Sequence, residues 1–276
     1  MTVTFRPPAT NGVCDEFNGV DEMNKVIRLA LASLVLIVLF PAESRPGMLV
    51  LKSSTKRATV IELFSSEGCS SCPPADAWLS GLRKDKKLWK DLIPVTFHVD
   101  YWDSLGWKDP FAKLRFTHRQ QDYGHTNAMS SIYTPGFFRN GREWRPGDSS
   151  EVAISTQEAG MLTATQTGAR AFKIIFKPHA KTEGRLRLWG GVLGNGLKSE
   201  VKRGENGGRA LVHDFVVLQD RTVALDKTGN VHAAEIIFDT ERFSNAPKSW
   251  SVVFWVSREG SSEPLQAVGG EWPGGF

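Results

Sequence analysis

The chain has 276 residues, 41% of them apolar and 23% charged, with a net charge of +4. That balance excludes wholesale disorder and leaves enough chain for a sizeable core. Basic residues are scattered and no dense Lys/Arg run interleaves with aromatics, so no nucleic-acid partner is expected.

Lys25 and Arg28 precede an unbroken apolar run from Leu29 to Phe40, and Ala42 and Ser44 follow at small-x-small spacing. A basic start, a short apolar middle and a small-residue end predict a signal peptide over residues 23–44. The run is short for a membrane span. The expected location is therefore the periplasm or the outside of the cell, with membrane attachment only through an uncleaved signal. Met23 opens the signal, so residues 1–22, with Pro7, Pro8 and Cys14, read as an extension from a mis-called start. Cleavage near Ser44 leaves Cys69 and Cys72 as the two cysteines of the exported chain.

Residues 45–57, with Pro46, Gly47, Ser53 and Ser54, read as a linker. The apolar run 58–64 predicts a strand, and Cys72 to Lys84 a helix with Ser71 as N-cap and Pro73 and Pro74 in its first turn. Ile93–Val99 predicts a second buried strand. Asp109-Pro110 is expected to cap and open a helix reaching Tyr123. Asn140-Gly141 between extended residues predicts a hairpin, and Asp148-Ser149 a cap for a helix from 150 to 163. Strand, helix, strand, helix, hairpin, helix is the order of an α/β sandwich over residues 58–165. Beyond Gly168 the texture changes. Strand-like runs at 171–176, 185–193, 211–218, 233–238 and 251–256 are separated by turn residues, and predict an antiparallel β-rich, sandwich-like domain over 168–276.

The chemistry sits in Cys69-Ser70-Ser71-Cys72. A thiolate is the nucleophile, and a helix N-terminus stabilises its negative charge. Cys69, just before the helix, is expected to be the exposed attacking thiol, and Cys72 the buried resolving thiol. A structural role is weaker, because so short a disulfide loop removes little chain entropy. A zinc site lacks a second cysteine pair. Glu67 reads as a solvated loop charge; were its carboxylate close, it would raise the thiol pKa and moderate the nucleophile. The segment Asp100–Asp109 is rich in Trp and Asp, and Trp102 within it is a candidate for shaping the substrate side, with loop packing as the alternative. Lys202–Arg209 reads as a Gly-rich β-turn rather than an anion-binding loop.

At Val60–Asp76, His98–Phe111, Tyr133–Arg142 and Val201–Val217 the chain resembles an exported bacterial family designated domain of unknown function 1223, itself thioredoxin-like. The resemblance implies an α/β thioredoxin-like domain followed by the β-rich one. It implies a cis-proline at Pro135, preceded by Thr134, that faces the cysteines and helps hold substrate as an added strand. It makes the Arg203–Val217 segment a family feature. It also implies a buried acid near the first strand as proton acceptor for the resolving thiol, a role that falls to Glu62, one position out of register.

The reading that follows is an exported thiol–disulfide oxidoreductase acting on protein or small-molecule thiols and disulfides, without a cofactor. Two alternatives stand beside it. One is an envelope metal handler that binds copper through Cys69, Cys72 and a loop histidine such as His98. The other is a binding module whose disulfide is inert.

Overall fold

A computed structural model describes residues 48–127, 129–147, 152–240, 243 and 245–275. The 1–22 extension, the signal at 23–44 and the Asp148-Ser149 cap lie outside the described residues.

Five strands come from residues that precede 150: β1 (Val50–Lys52), β2 (Thr59–Ser65), β3 (Leu92–His98), β4 (Gly136–Arg139) and β5 (Arg142–Glu143). Two helices lie among them, α1 (Cys72–Gly81) and α2 (Leu114–Thr126). Ten strands follow: β6 (Gly160–Gln166), β7 (Ala171–Pro178), β8 (Leu186–Asn195), β9 (Leu197–Glu200), β10 (Ala210–His213), β11 (Val216–Ala224), β12 (Asp226–Thr228), β13 (Val231–Ile237), β14 (Ser249–Arg258) and β15 (Pro264–Glu271). Among the described residues no helix is long and apolar enough to cross a membrane.

The expected α/β thioredoxin-like domain followed by a β-rich domain is not what the chain builds. Among the described residues strands account for 44% and helices for 13%. One mixed sheet of eight strands runs in the order β15-β14-β8-β11-β3-β2-β4-β5 and draws on both stretches of sequence. Its seam is β3, which is parallel to β2 on one side and to β11 on the other. The physical reason is that every residue of β2 and β3 is buried, so neither strand is finished by helices alone. The open side of β3 is closed by β11, and β11 carries β8, β14 and β15 with it.

A second sheet, β1-β6-β7-β13-β12, is antiparallel throughout. Its inward residues, including Leu162, Phe172, Ile174 and Ile236, share one core with Leu188, Val192, Phe254 and Val268 of the large sheet. Another core gathers Ile61, Leu63, Phe64, Phe97, Leu79 and Phe116 around α1 and α2.

Local expectations fail at four places, one of them the single strand run expected at 211–218, which Phe215 at a φ of 59° breaks into β10 and β11 in different sheets. The linker 45–57 contains β1, which pairs with β6 through Leu51 and Ala164. The helix expected over 150–163 is irregular chain from 152 and then β6, where buried Leu162 and Ala164 alternate with more exposed Met161 and Thr163. The helix expected at Asp109 starts at Leu114, with Lys113 at its N-cap; the Asp109 carboxylate accepts the Phe111 N–H at 2.9 Å in a local turn and the Glu67 N–H at 2.8 Å from the dithiol loop. The Asn140-Gly141 hairpin forms as expected, with φ of 51° and 79° at the two turn residues and β4 paired to β5.

Alternate residues of β2 face different helices. Glu62, 0% exposed, meets α2, where its carboxylate takes two guanidinium bonds from Arg119 at 2.6 and 2.9 Å and the Tyr123 hydroxyl at 2.5 Å. The Arg119 guanidinium also lies over the rings of Phe97, Tyr123, Trp189 and Trp255. This pins α2 to strands from both stretches. Removing one partner of a buried pair leaves the other charge without compensation. Arg119→Met is therefore expected to cost about 3–5 kcal/mol in urea unfolding, and Glu62→Gln with Arg119→Met less than the sum of the two singles.

Candidate functional site

β2 delivers the chain to a tight turn. Ser66 carbonyl accepts the Cys69 N–H, and Cys69 carbonyl accepts the Cys72 N–H, each at 3.2 Å. Gly68 is needed there, because a Cβ would stand 2.8 Å from the Cβ of Trp102. α1 begins at Cys72 with Pro73 and Pro74 in its first turn, where backbone N–H groups have no acceptor within the helix. Ser71 occupies the N-cap position, but its hydroxyl makes no cap bond. It lies 3.2 Å from the Cys69 sulfur instead.

Cys69 and Cys72 are free thiols. Cys69 was expected to be exposed, yet it is 1% exposed and Cys72 0%. The Cys69 sulfur is 3.7 Å from the Thr134 carbonyl, and the Thr134–Pro135 bond is cis. Trp102 donates its indole N–H to the Thr134 hydroxyl at 2.8 Å. The expected group Cys69, Cys72, Thr134, Pro135 and Trp102 is therefore brought together.

The two thiols are driven apart in acidity. Hydrogen bonding from Cys72 is the main influence on Cys69; burial opposes it, and Ser71 and Thr134 reinforce it, so the Cys69 pKa falls to about 6. Burial is the main influence on Cys72, and the charges of Cys69 and Asp76 add to it, so its pKa rises well above the usual thiol range. One thiolate beside one thiol is the state in which the pair can exchange.

Glu67 is not a solvated charge. It is 0% exposed and accepts the Trp107 indole N–H at 2.8 Å, with His213 Nε2 at 3.1 Å on its other oxygen. His213 closes a chain of buried groups from β10: its Nδ1 is 3.6 Å from the Asp76 carboxylate, which accepts the Ser65 hydroxyl at 3.0 Å. Burial pushes the His213 pKa down, but Asp76 and Glu67 outweigh it and raise it to about 10. Beside this chain, His98 Nδ1 is 2.7 Å from Asp109. Glu62 does not join the cysteines; its partners are Arg119 and Tyr123 on α2. Among the described residues no three His, Cys, Asp or Glu side chains are grouped to hold a metal ion.

The Gly-rich turn Lys202–Arg209 does more than turn. Asn206, fully buried, donates its amide to the carbonyls of Glu67 and Cys69, both at 2.9 Å. Glu205 accepts the Ser70 N–H at 2.9 Å and the Ser70 hydroxyl at 2.7 Å. Gly204 and Gly208, at φ of 77° and 83°, let the loop fold back far enough to do so. Asp76, His213, Glu205 and Asn206 were not singled out from the sequence. The signal toward them was the family resemblance, over Val60–Asp76 for the first and over Val201–Val217 for the other three.

Alkylation of the reduced protein by iodoacetamide is expected to report the Cys69 thiolate. The rate should rise with pH through a midpoint near 6 and fall away below it, because only the thiolate reacts. Ser71→Ala should move that midpoint upward by removing one bond to the thiolate.

The family model described as protein of unknown function (DUF1223) matches residues 60–256. No curated protein matches the chain. A crystal structure of a protein from Agrobacterium tumefaciens is 20% identical over 78% of this chain and 95% of that one, with a TM-score of 0.53. HBP35 of Porphyromonas gingivalis is 15% identical over 79% of this chain and 76% of that one, with a TM-score of 0.52. At such identities the likeness is one of fold alone. The model match extends over the dithiol turn, the cis-proline and the loop that holds Ser70, and the chain belongs to the DUF1223 family.

Proposed function

We propose that the protein is an exported thiol–disulfide oxidoreductase that works through Cys69 and Cys72 on protein or small-molecule disulfides and thiols. The observation that carries this reading is the placement of the pair, with Cys69 on the turn before α1, Cys72 at its first position, and the Cys69 sulfur 3.7 Å from the Thr134 carbonyl beside the cis Thr134–Pro135 bond; the lowered pKa of Cys69 and the raised one of Cys72 agree with it. The Cys69 thiolate attacks one sulfur of a substrate disulfide, and the other sulfur leaves as a thiolate. Cys72 then attacks Cys69, gives up its proton, and frees the second substrate thiol. The protein pair ends oxidised and the substrate reduced; the reverse sequence oxidises a dithiol substrate. Thr134, Pro135 and Trp102 form the wall that the substrate meets. Export rests on the signal at 23–44 and suits this chemistry, since disulfides persist outside the cytosol.

Cys69 is 1% exposed, so a substrate sulfur reaches it only after part of the rim moves. That same burial favours a second reading, a binding module whose pair is inert. The two separate in one experiment. Wild-type protein should reduce insulin with dithiothreitol as electron source, Cys69→Ser should lose this, and Cys72→Ser should trap a substrate as a mixed disulfide. Wild type no faster than Cys69→Ser, with nothing trapped, supports the inert module instead.

A further inference from the structure

A cavity of about 540 Å³ opens between the C-terminal half of α2 and the part of the large sheet formed by β8, β11 and β14. None of the residues that line it belongs to the dithiol site. Small-molecule sites commonly enclose roughly 300–1,000 Å³, so the volume suits a ligand. The floor is made by Trp189 and Trp255, stacked with ring centroids 3.8 Å apart and only 5% and 2% exposed. With so little ring face open, the floor offers scant apolar contact, and recognition falls to polar groups.

Arg119 supplies the first of them. Its guanidinium lies over both indoles, 5.7 Å from the Trp189 centroid and 5.3 Å from that of Trp255. Nε and Nη2 are spent on Glu62, and Nη2 on Tyr123 as well. Nη1 has no acceptor among the described residues and is not sealed in, since the side chain is 21% exposed where it lines the cavity. A guanidinium edge held in place on one side and open on the other is a ready donor to an anion. Glu62 balances the charge of Arg119, so a bound anion needs a second cation. Arg258 on β14 is that cation: its side chain lines the cavity and has no ion pair or hydrogen bond among the described residues. Arg187, beside it, already stands 3.7 Å from Glu259.

The rest of the lining speaks for hydroxyl groups on the same ligand. The hydroxyls of Thr222, Ser257 and Ser262 and the carboxylates of Asp122 and Glu259 all border the cavity. A plain alkyl acid would leave these groups without partners, and a ligand that fails to match polar groups loses affinity. We propose that this cavity is a binding site for a small carboxylate that carries several hydroxyl groups, a compound of the sugar-acid class. Its carboxylate meets Arg119 Nη1 and Arg258, and its hydroxyls meet the Ser, Thr and acidic side chains. The site does not rest on the oxidoreductase reading, and either stands if the other falls.

The probe is D-gluconate, titrated into the full chain by calorimetry. One saturable site is expected, with a Kd of about 1 mM or tighter. Sorbitol has the hydroxyl chain without the carboxylate, and inorganic phosphate has the charge without the chain. Each should bind at least about tenfold more weakly, the loss expected of roughly one charge-assisted hydrogen bond. Arg258→Ala should weaken gluconate by about the same factor. Ser257→Trp, which fills the cavity, should abolish the heat while the far-ultraviolet circular dichroism stays as in wild type. If that variant does not fold, Arg258→Ala decides, because its side chain is exposed and its removal leaves the core intact. No saturable heat with gluconate, equal binding of sorbitol or phosphate, or gluconate binding unchanged in Arg258→Ala overturns the proposal.

Discussion

Thr96 of β3 donates its N–H to the carbonyl of Phe215 at 2.8 Å, and β3 and β11 run parallel from that point. Much of the molecule depends on this short seam. It sets Val216, the first residue of β11, beside Thr96, and so places β10 and the 201–209 loop, which come just before, over the end of β2 where the cysteines lie. Phe215 takes a φ of 59° to make the turn out of β10. Its N–H is met by the Asn195 side chain at 3.0 Å, so the strained corner is tied to β8 as well.

With that seam in place, polar groups that would be costly to bury alone find partners from distant sequence. Glu67 meets His213, Asn206 meets the carbonyls of Glu67 and Cys69, and Asp109 meets His98 and the Glu67 N–H. The bonds of His213 and Asn206 cross well over a hundred positions and the Asp109–His98 bond only eleven, and each ends on the turn that holds the dithiol or on a group that does. The cysteine turn is therefore rigid by tertiary contact rather than by its own sequence. The acidity of Cys69 follows from the same arrangement, because Cys72 and the Ser71 hydroxyl are held within bonding reach of its sulfur.

The buried ionic groups divide into two sets on the two faces of β2. On one face Glu62, Arg119 and Tyr123 join α2 to the aromatic cluster of the large sheet. On the other, Ser65, Asp76, His213 and Glu67 lie below the thiols. A shift of one residue along β2 exchanges these faces. That is why Glu62, one position out of register for a proton acceptor, serves the helix and not the cysteine.

Part of this was legible in the residues. The Cys-x-x-Cys spacing before Pro73-Pro74 marks a strand-to-helix turn, Asn140-Gly141 marks a hairpin, and the apolar runs of β2 and β3 mark buried strands, since each signal is local and each has a local cause. The cis bond at Pro135 came through resemblance alone. What failed did so where a side chain had a partner outside its own turn: the Asp109 carboxylate is shared with His98 and the Glu67 N–H, and Leu162 and Ala164 were drawn into a strand by β1 and β7. Composition and periodicity determine that two thiols sit at a helix start and that strands follow; they carry no information on which strand edges meet. The joining of both stretches in one sheet, the burial of Glu67, and the company that His213, Asp76 and Asn206 keep with the dithiol were decided by tertiary structure, because strand pairing and charge compensation act between residues more than a hundred positions apart.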